Sequence, residues 1–498
     1  MQAQAEGGKN SREASVGGGS LKRDSLTYTE VLAQSISVIA PSTVPAAIVG
    51  LIFAVAGNGT WLSLALGAVG MVLVSLNINQ FARRSASPAS LYSYIVKGLG
   101  PTSGVLGGWA LLFGYIMTGM STLCGFAIFV NVILGPFGLH APILLSFAVG
   151  AIAAAYVAYR DIQLSARAML YIEGTVLVAI LVLGVVIWWD KGFAIDTAQL
   201  TLEGATPKGV LMGVLLAVFA FSGFESSTSL GHEAKDPLRS IPRSVIQSVV
   251  LSGLVFIFMA YIVVLAFQGT GLDLARAEAP LDELARAKGW GAVSMVVNFG
   301  ILLSFFACTL ACVNSTARIV FAMARNGLVP EVFGEAHASN KTPYTAVLFA
   351  ALVTFVLPAG LYLSGSSAFD GQGYFGTLCS FGFLVTYMLI SIATPVYLRR
   401  IGELTPKALI IAALSVGFVA LPVLSTIGVP GSDLFPPPDY PENLMALLFL
   451  GYMAVGLGWM AMHRVRRPQL LRNLNTAIDE MELHLVKSGA PVPRQPQK

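Results

Sequence analysis

An all-α integral membrane protein of twelve transmembrane helices is the fold class this sequence predicts, on three observations. Only 11% of its 498 residues are charged while 55% are hydrophobic, with a mean hydropathy of +0.74. Twelve apolar stretches are long enough to cross a bilayer core of ~30 Å, which takes about 20 residues. The basic residues fall almost wholly on one side of those stretches.

A soluble domain carries roughly 25% charged residues, because its surface must be wetted. A deficit this large means that lipid covers the outside, so the bilayer is the first partner. The net charge is only +4 and no basic run occurs, which speaks against nucleic acid.

Residues 1–30 form a polar, Gly/Ser-rich tail with no early apolar segment, so the first span is expected to signal its own insertion. Spans then fall at 31–56, 61–82, 103–134, 141–159 and 168–189, a set of five within 31–189. A second five, within 190–398, falls at 209–231, 244–267, 291–322, 344–364 and 374–398. Two more, 408–428 and 442–462, occupy 399–463, and 464–498 is a polar tail with a candidate short helix at 473–486. The third and eighth spans are long enough to require tilt. With a cytoplasmic N-terminus, only Lys191, Lys208, Arg276, Arg286 and Lys288 of the 30 lysines and arginines lie outside. That is the positive-inside pattern of a multi-pass inner (cytoplasmic) membrane protein with both termini in the cytoplasm.

Two spans are interrupted. The first reads Val38-Ile39-Ala40-Pro41-Ser42-Thr43-Val44-Pro45, and each proline removes an amide donor and disfavours helix in the residue before it. The sixth reads Phe219-Ala220-Phe221-Ser222-Gly223-Phe224-Glu225, with a glycine, a hydroxyl and a carboxyl at membrane depth. Non-helical backbone is tolerated there only if it lines a cavity or is buried in protein. Ordinary kinks are the alternative for either span alone. Their matching places in two five-helix halves point to a 5+5 inverted repeat followed by two extra helices. The half-helix starting near Ser42 aims its free amides at the break, which suits a carboxylate. The outer half of the sixth span ends near Ala220–Ser222 with free carbonyls, which suit an ammonium. One site offering both favours a zwitterion such as an amino acid.

The run from Phe219 to Glu225, followed by His232-Glu233-Ala234-Lys235-Asp236-Pro237 and Ile241-Pro242-Arg243, resembles the sixth-span signature of the amino acid–polyamine–organocation permeases. The eighth-span end, Asn314-Ser315-Thr316-Ala317-Arg318 through Gly327-Leu328-Val329-Pro330, is similar to the same superfamily. So is the loop Ser87-Pro88-Ala89-Ser90-Leu91-Tyr92 leading to Gly98-Leu99-Gly100-Pro101. The resemblance covers roughly residues 25–430 and implies a LeuT-like core. It implies secondary transport of an amino acid or related amine by alternating access, as proton symport or exchange. Substrate would be held at Val38, Ile39, Ala40, Pro41 and Ser42 and at Phe219, Ala220, Phe221, Ser222, Gly223 and Phe224. Phe219 would cap the pocket, and Glu225 would sense protons or gate. The chain departs from the pattern in three places. Its first-span break is not glycine-rich, Ala89-Ser90 replaces a frequent glycine pair, and the fifth span has no lysine, only Glu173.

An ionisable group in a span is expensive unless it meets a cavity or a partner. Glu225, beside a break, is the better candidate for proton sensing or gating. For Glu173, coupling and a structural carboxyl stand level. Glu233, Lys235, Asp236, Arg239 and Arg243 are expected to set topology and pair across an inner gate. Ser304 and Thr309 are hydroxyls suited to sodium, but helical hydroxyls more often bond their own backbone, so the proton is preferred. Met117, Met120, Phe221, Cys312 and Phe381 are the candidate side-chain pocket, which favours a neutral substrate and leaves a basic amino acid or polyamine open. The four cysteines read as packing residues, and the five scattered histidines form no metal motif. No nucleotide loop or nucleophile elbow occurs, so no cofactor and no enzyme are expected. A sensor on the same fold is the remaining rival, against which the short tails weigh.

Overall fold

The computed structural model describes residues 21–470 except 88, 278, 433, 434, 436 and 438–441, together with 474, 476 and 478. The N-terminal tail before 21 and most of the candidate 473–486 helix lie outside the described residues. The protein is helical almost throughout. In chain order the helices are α1 (Tyr28–Ile39), α2 (Val49–Ala56), α3 (Thr60–Ala82), α4 (Leu91–Leu99), α5 (Pro101–Leu134), α6 (Ile143–Arg160), α7 (Ile162–Asp190) and α8 (Thr197–Leu200). They continue as α9 (Pro207–Phe221), α10 (Pro237–Phe267), α11 (Pro280–Ala287), α12 (Gly291–Arg325), α13 (Tyr344–Leu363), α14 (Ala368–Arg400), α15 (Pro406–Ile427) and α16 (Glu442–Arg466).

Among the described residues, eleven stretches are long and apolar enough to cross a membrane. Twelve were expected, and the difference has a simple cause. The first stretch, Tyr28–Ala82, runs 55 residues with only short turns inside it and joins two expected spans. Its helices double back at Gly57-Asn58-Gly59, where Gly57 has φ +53°. Tyr28 bonds Gln247 and Gly50 packs against Leu274, so α1 and α2 run along α10. Gly253 packs on Ala68 and Asn79 bonds the Pro242 carbonyl, so α3 runs against α10.

The long helices α5 and α12, of 34 and 35 residues, are about 50 Å each and form the centre with α14. They meet by small residues: a Cβ on Gly382 of α14 would lie 2.4 Å from the Ala110 carbonyl of α5. In lipid, where no hydrophobic gain separates helix from solvent, such close approach is what holds helices together. The peripheral α16 is the least buried, with 17% of its apolar window inside the protein.

One face carries the basic loops and is sealed. Ser25 and Leu26 donate their amides to the Glu233 carbonyl at 2.9 Å, and Lys235 returns an amide to Leu26 at 3.0 Å. Lys22 pairs with Asp161 at 2.9 Å. Beneath this strap Arg318 donates twice to the Glu233 carboxylate, at 2.7 Å each, and both side chains are at most 1% exposed. A buried pair of this kind gives little net stability, but removing one partner strands a charge. Glu233→Ala is expected to destabilise the fold by about 3–5 kcal/mol, read as a lower thermal midpoint, with partial recovery when Arg318→Ala is added. An unchanged midpoint in the single variant counts against a structural role for the pair.

Candidate functional site

The first break lies between α1 and a π-helical turn at Val44–Ile48. Ala40 ends α1 in the left-handed region, φ 48°, and its carbonyl accepts both the amide (2.9 Å) and hydroxyl (2.8 Å) of Thr43. A non-glycine residue there costs on the order of 1–2 kcal/mol, so the surroundings must enforce it. The second break follows Phe221: Ser222 is extended and Gly223 has φ +87°. The Ser222 hydroxyl donates to Val218 and its amide to Phe219. The carbonyls of Ala220 and Phe221 complete a last turn that a helix leaves without internal partners.

The two breaks touch. A Cβ on Gly223 would sit 2.1 Å from Val38 Cγ1, so only glycine permits the approach, and φ +87° demands it independently. Further bonds bridge them: Ser226 Oγ to the Gln34 carbonyl at 3.1 Å, and the Ser227 amide to Ser35 Oγ at 3.0 Å. From α12, Cys308 Sγ donates to the Val38 carbonyl at 3.1 Å.

Above this junction lies a cavity of about 830 Å³, within the usual range of small-molecule sites. Its floor is Val38, Ile39, Ala40 and Thr43 of the first break with Phe219, Ala220 and Ser222 of the second. Its walls include Thr118 and Ser121 of α5, Phe305 and Cys308 of α12, and Thr377, Cys379, Ser380 and Phe381 of α14. It continues past Asn131 and His140 to Ser367–Phe369, away from the basic face. No aspartate, glutamate, lysine or arginine lines it among the described residues.

Not every expected residue faces this space. Phe221 turns the other way, onto Phe256 with ring centres 4.9 Å apart. Pro41, Ser42, Gly223 and Phe224 lie outside the lining, with the Phe224 ring tilted against Tyr387, centres 5.2 Å apart. Of the candidate side-chain pocket, Phe381 lines the cavity whereas Met117, Met120 and Cys312 do not. Thr309 donates to the Phe305 carbonyl at 2.9 Å, the local bond expected of a helical hydroxyl.

Glu225 is wholly buried just behind the floor. Tyr115 of α5 donates to its Oε1 at 2.7 Å and Tyr387 of α14 to its Oε2 at 2.6 Å. The Tyr387 hydroxyl in turn accepts the Gly223 amide at 3.1 Å. One carboxyl thus ties the sixth-span break to two central helices. Neither tyrosine was singled out from the sequence. The available signal was that a phenol at membrane depth needs a partner for its hydroxyl.

Glu173 stands apart, on the α7–α12 contact. Ser304 donates to its Oε1 at 2.8 Å, while Oε2 is buried without a hydrogen-bond partner. The Ser37 hydroxyl is also buried and unbonded. Since Arg167 meets Glu30 where α7 runs beside α1, Ser37 and Glu173, seven and six residues further on, lie at one level.

Gly223→Ala is expected to abolish substrate binding while the protein still inserts, because the clash and the positive φ each cost about 1–3 kcal/mol at the junction. Gly174→Ala, where an added Cβ meets nothing within 4 Å, is the matched control. Ligand-induced thermal shift reads both; equal shifts would remove the break contact from the site.

A family described as "Amino acid permease" matches residues 30–473. The chain is 24% identical over 425 residues to the branched-chain amino acid permease BcaP of Bacillus subtilis, covering 82% of this chain and 83% of the relative. It is 31% identical over 335 residues to an uncharacterised transporter of Mycobacterium tuberculosis, covering 67% and 71%. The low-affinity putrescine importer PlaP of Escherichia coli is 24% identical over 405 residues, covering 77% and 84%. A family match spanning most of the chain, over a helical membrane protein with two touching broken helices, makes this a transporter and not an enzyme: the chain belongs to the amino acid permease family.

Proposed function

We propose that the protein carries a neutral amino acid with an apolar side chain across the cytoplasmic membrane by alternating access. The observation that carries this reading is the pair of helix ends meeting at the floor of an uncharged cavity. Amides at the start of the outward half of the first span favour a carboxylate, and last-turn carbonyls of α9 favour an ammonium. A diamine would need acids where its cations sit, and the lining has none among the described residues. BcaP, by its name a branched-chain amino acid permease, fits this chemistry better than the putrescine importer does.

In this reading the 55-residue first stretch crosses twice, which makes twelve crossings: a LeuT-like 5+5 inverted repeat and two added helices. Similar lengths of α5 and α12, at the third place of each five, support the repeat. Both termini are placed in the cytoplasm by the distribution of basic residues. The cavity then opens outward, and the Arg318–Glu233 pair and N-terminal strap close the inside. A thiol placed at exposed Arg276 is expected to react with an impermeant maleimide from outside intact cells, and one at Lys9 only after permeabilisation. The opposite pattern inverts the topology.

Proton coupling is assigned to Glu225. Its two tyrosine bonds suit an anion, and a neutral carboxyl holds them less strongly, so protonation loosens the link between the break and helices α5 and α14. Glu173, with one oxygen buried and unbonded, is the second candidate, and its place at the level of the unbonded Ser37 hydroxyl supports it. Uptake of labelled leucine, lysine and putrescine into proteoliposomes tests the whole reading. Leucine is expected to be the substrate taken up, and Glu225→Gln to flatten its pH dependence between about pH 5 and 8 while Glu173→Gln keeps the parent profile. The reverse result for the two variants moves coupling to Glu173; putrescine uptake without leucine uptake sinks the substrate assignment.

A further inference from the structure

A second concavity, of about 610 Å³, lies on the basic face between the C-terminal end of α16 and the segment Gly327–Glu331 that follows α12. Its lining is of two kinds. Trp459, Met462, Leu328 and Val329 make an apolar part, and Arg466 and Arg467 make a cationic part. Glu331 is the one acid among the lining residues. Neither arginine has an ion-pair partner among the described residues.

The place matters as much as the charge. Helix α16 is the least buried of the spans, and its exposed apolar residues, Leu447, Leu450 and Val455, continue to Val465, which is 81% exposed. Arg464, Arg466 and Arg467 cluster around the end of that apolar run, which is the headgroup level of a bilayer. Trp459 is fixed there by stacking on Trp109 with ring centres 5.4 Å apart, and His463 sits edge-on to it at 5.0 Å. An occupant must therefore be anionic at one end and apolar at the other, and must reach the site from the membrane.

We propose that this concavity binds an anionic phospholipid, with its phosphate between Arg466 and Arg467 and an acyl chain along Trp459 and Met462. Basic side chains at a leaflet surface each favour an anionic lipid, whereas charges that serve only topology do not distinguish one headgroup in a pocket from another. The proposal is independent of what the central cavity carries.

The test uses the full-length chain, delipidated in nonionic detergent and titrated with dioleoylphosphatidylglycerol or dioleoylphosphatidylcholine in mixed micelles. Bound lipid is counted by native mass spectrometry. The parent is expected to prefer phosphatidylglycerol. The double variant Arg466→Gln/Arg467→Gln is expected to bind it about thirtyfold more weakly, with phosphatidylcholine binding unchanged. The Arg466→Lys/Arg467→Lys variant, which keeps both charges, is expected to stay close to the parent. Soluble glycerol 3-phosphate is expected not to compete, since it brings the charge without the chain. Equal binding of the two lipids by the parent, parent-like phosphatidylglycerol binding by the glutamine variant, or displacement by glycerol 3-phosphate would each overturn the assignment.

Discussion

Inside a bilayer a peptide group released from a helix has no water to bond, and each unsatisfied group costs several kcal/mol. That constraint organises the centre of this protein. Breaking two helices side by side frees amides and carbonyls at one depth, and the neighbouring side chains are set to collect them. Thr43 closes on Ala40, Ser222 on Val218, and Tyr387 takes the Gly223 amide. Ser226 and Ser227 tie the far side of the second break back to α1. The helix ends themselves face the cavity, where the proposed amino acid would complete the set.

The same constraint explains how acids are tolerated. Glu225 has a hydroxyl on each oxygen, and Glu233 has both oxygens on one guanidinium. These are different solutions with different consequences. A carboxyl held by neutral phenols changes its bonds when it takes a proton, whereas one clamped by arginine is fixed in a two-pronged pair. The first arrangement suits a group that must respond, the second a group that must hold. Glu173, with a single serine donor, belongs to neither.

The breaks themselves were legible because their causes are local: Pro41, Pro45 and Gly223 alter the backbone where they stand. The turn at Gly57-Asn58-Gly59 is local too, and it separates two crossings that apolar length alone merges. What the sequence did not disclose is which way a uniformly apolar helix faces. Phe219 and Phe221 are equally hydrophobic, and in α9 no polar stripe marks the inward side, so only packing against Gly376 and Phe256 separates lining residue from core residue. The partners of Glu225 come from residues 110 and 162 positions away, beyond any motif spacing. Glu233 was expected at an inner gate because it sits in a charged loop; its burial against Arg318 depends on a contact 85 residues distant.

The N-terminal strap has a consequence for how the chain is made. Lys22 donates its amide to the Lys341 carbonyl, and Leu26 pairs with Ala234, so these early residues have their partners more than 200 positions further along the chain. At translation rates of ~5–20 residues per second, some 320 residues separate the synthesis of Lys22 from that of Lys341, roughly 15–60 s. For that interval α1, with its proline-broken end, waits in the bilayer without the helices that later satisfy it. Docking of this early segment therefore waits on residues made more than two hundred and three hundred positions later, so insertion of the first span and closure of its inner end are separate events. A nascent protein stalled before residue 341 would hold every residue of the first break and still lack the Lys341 anchor of its strap.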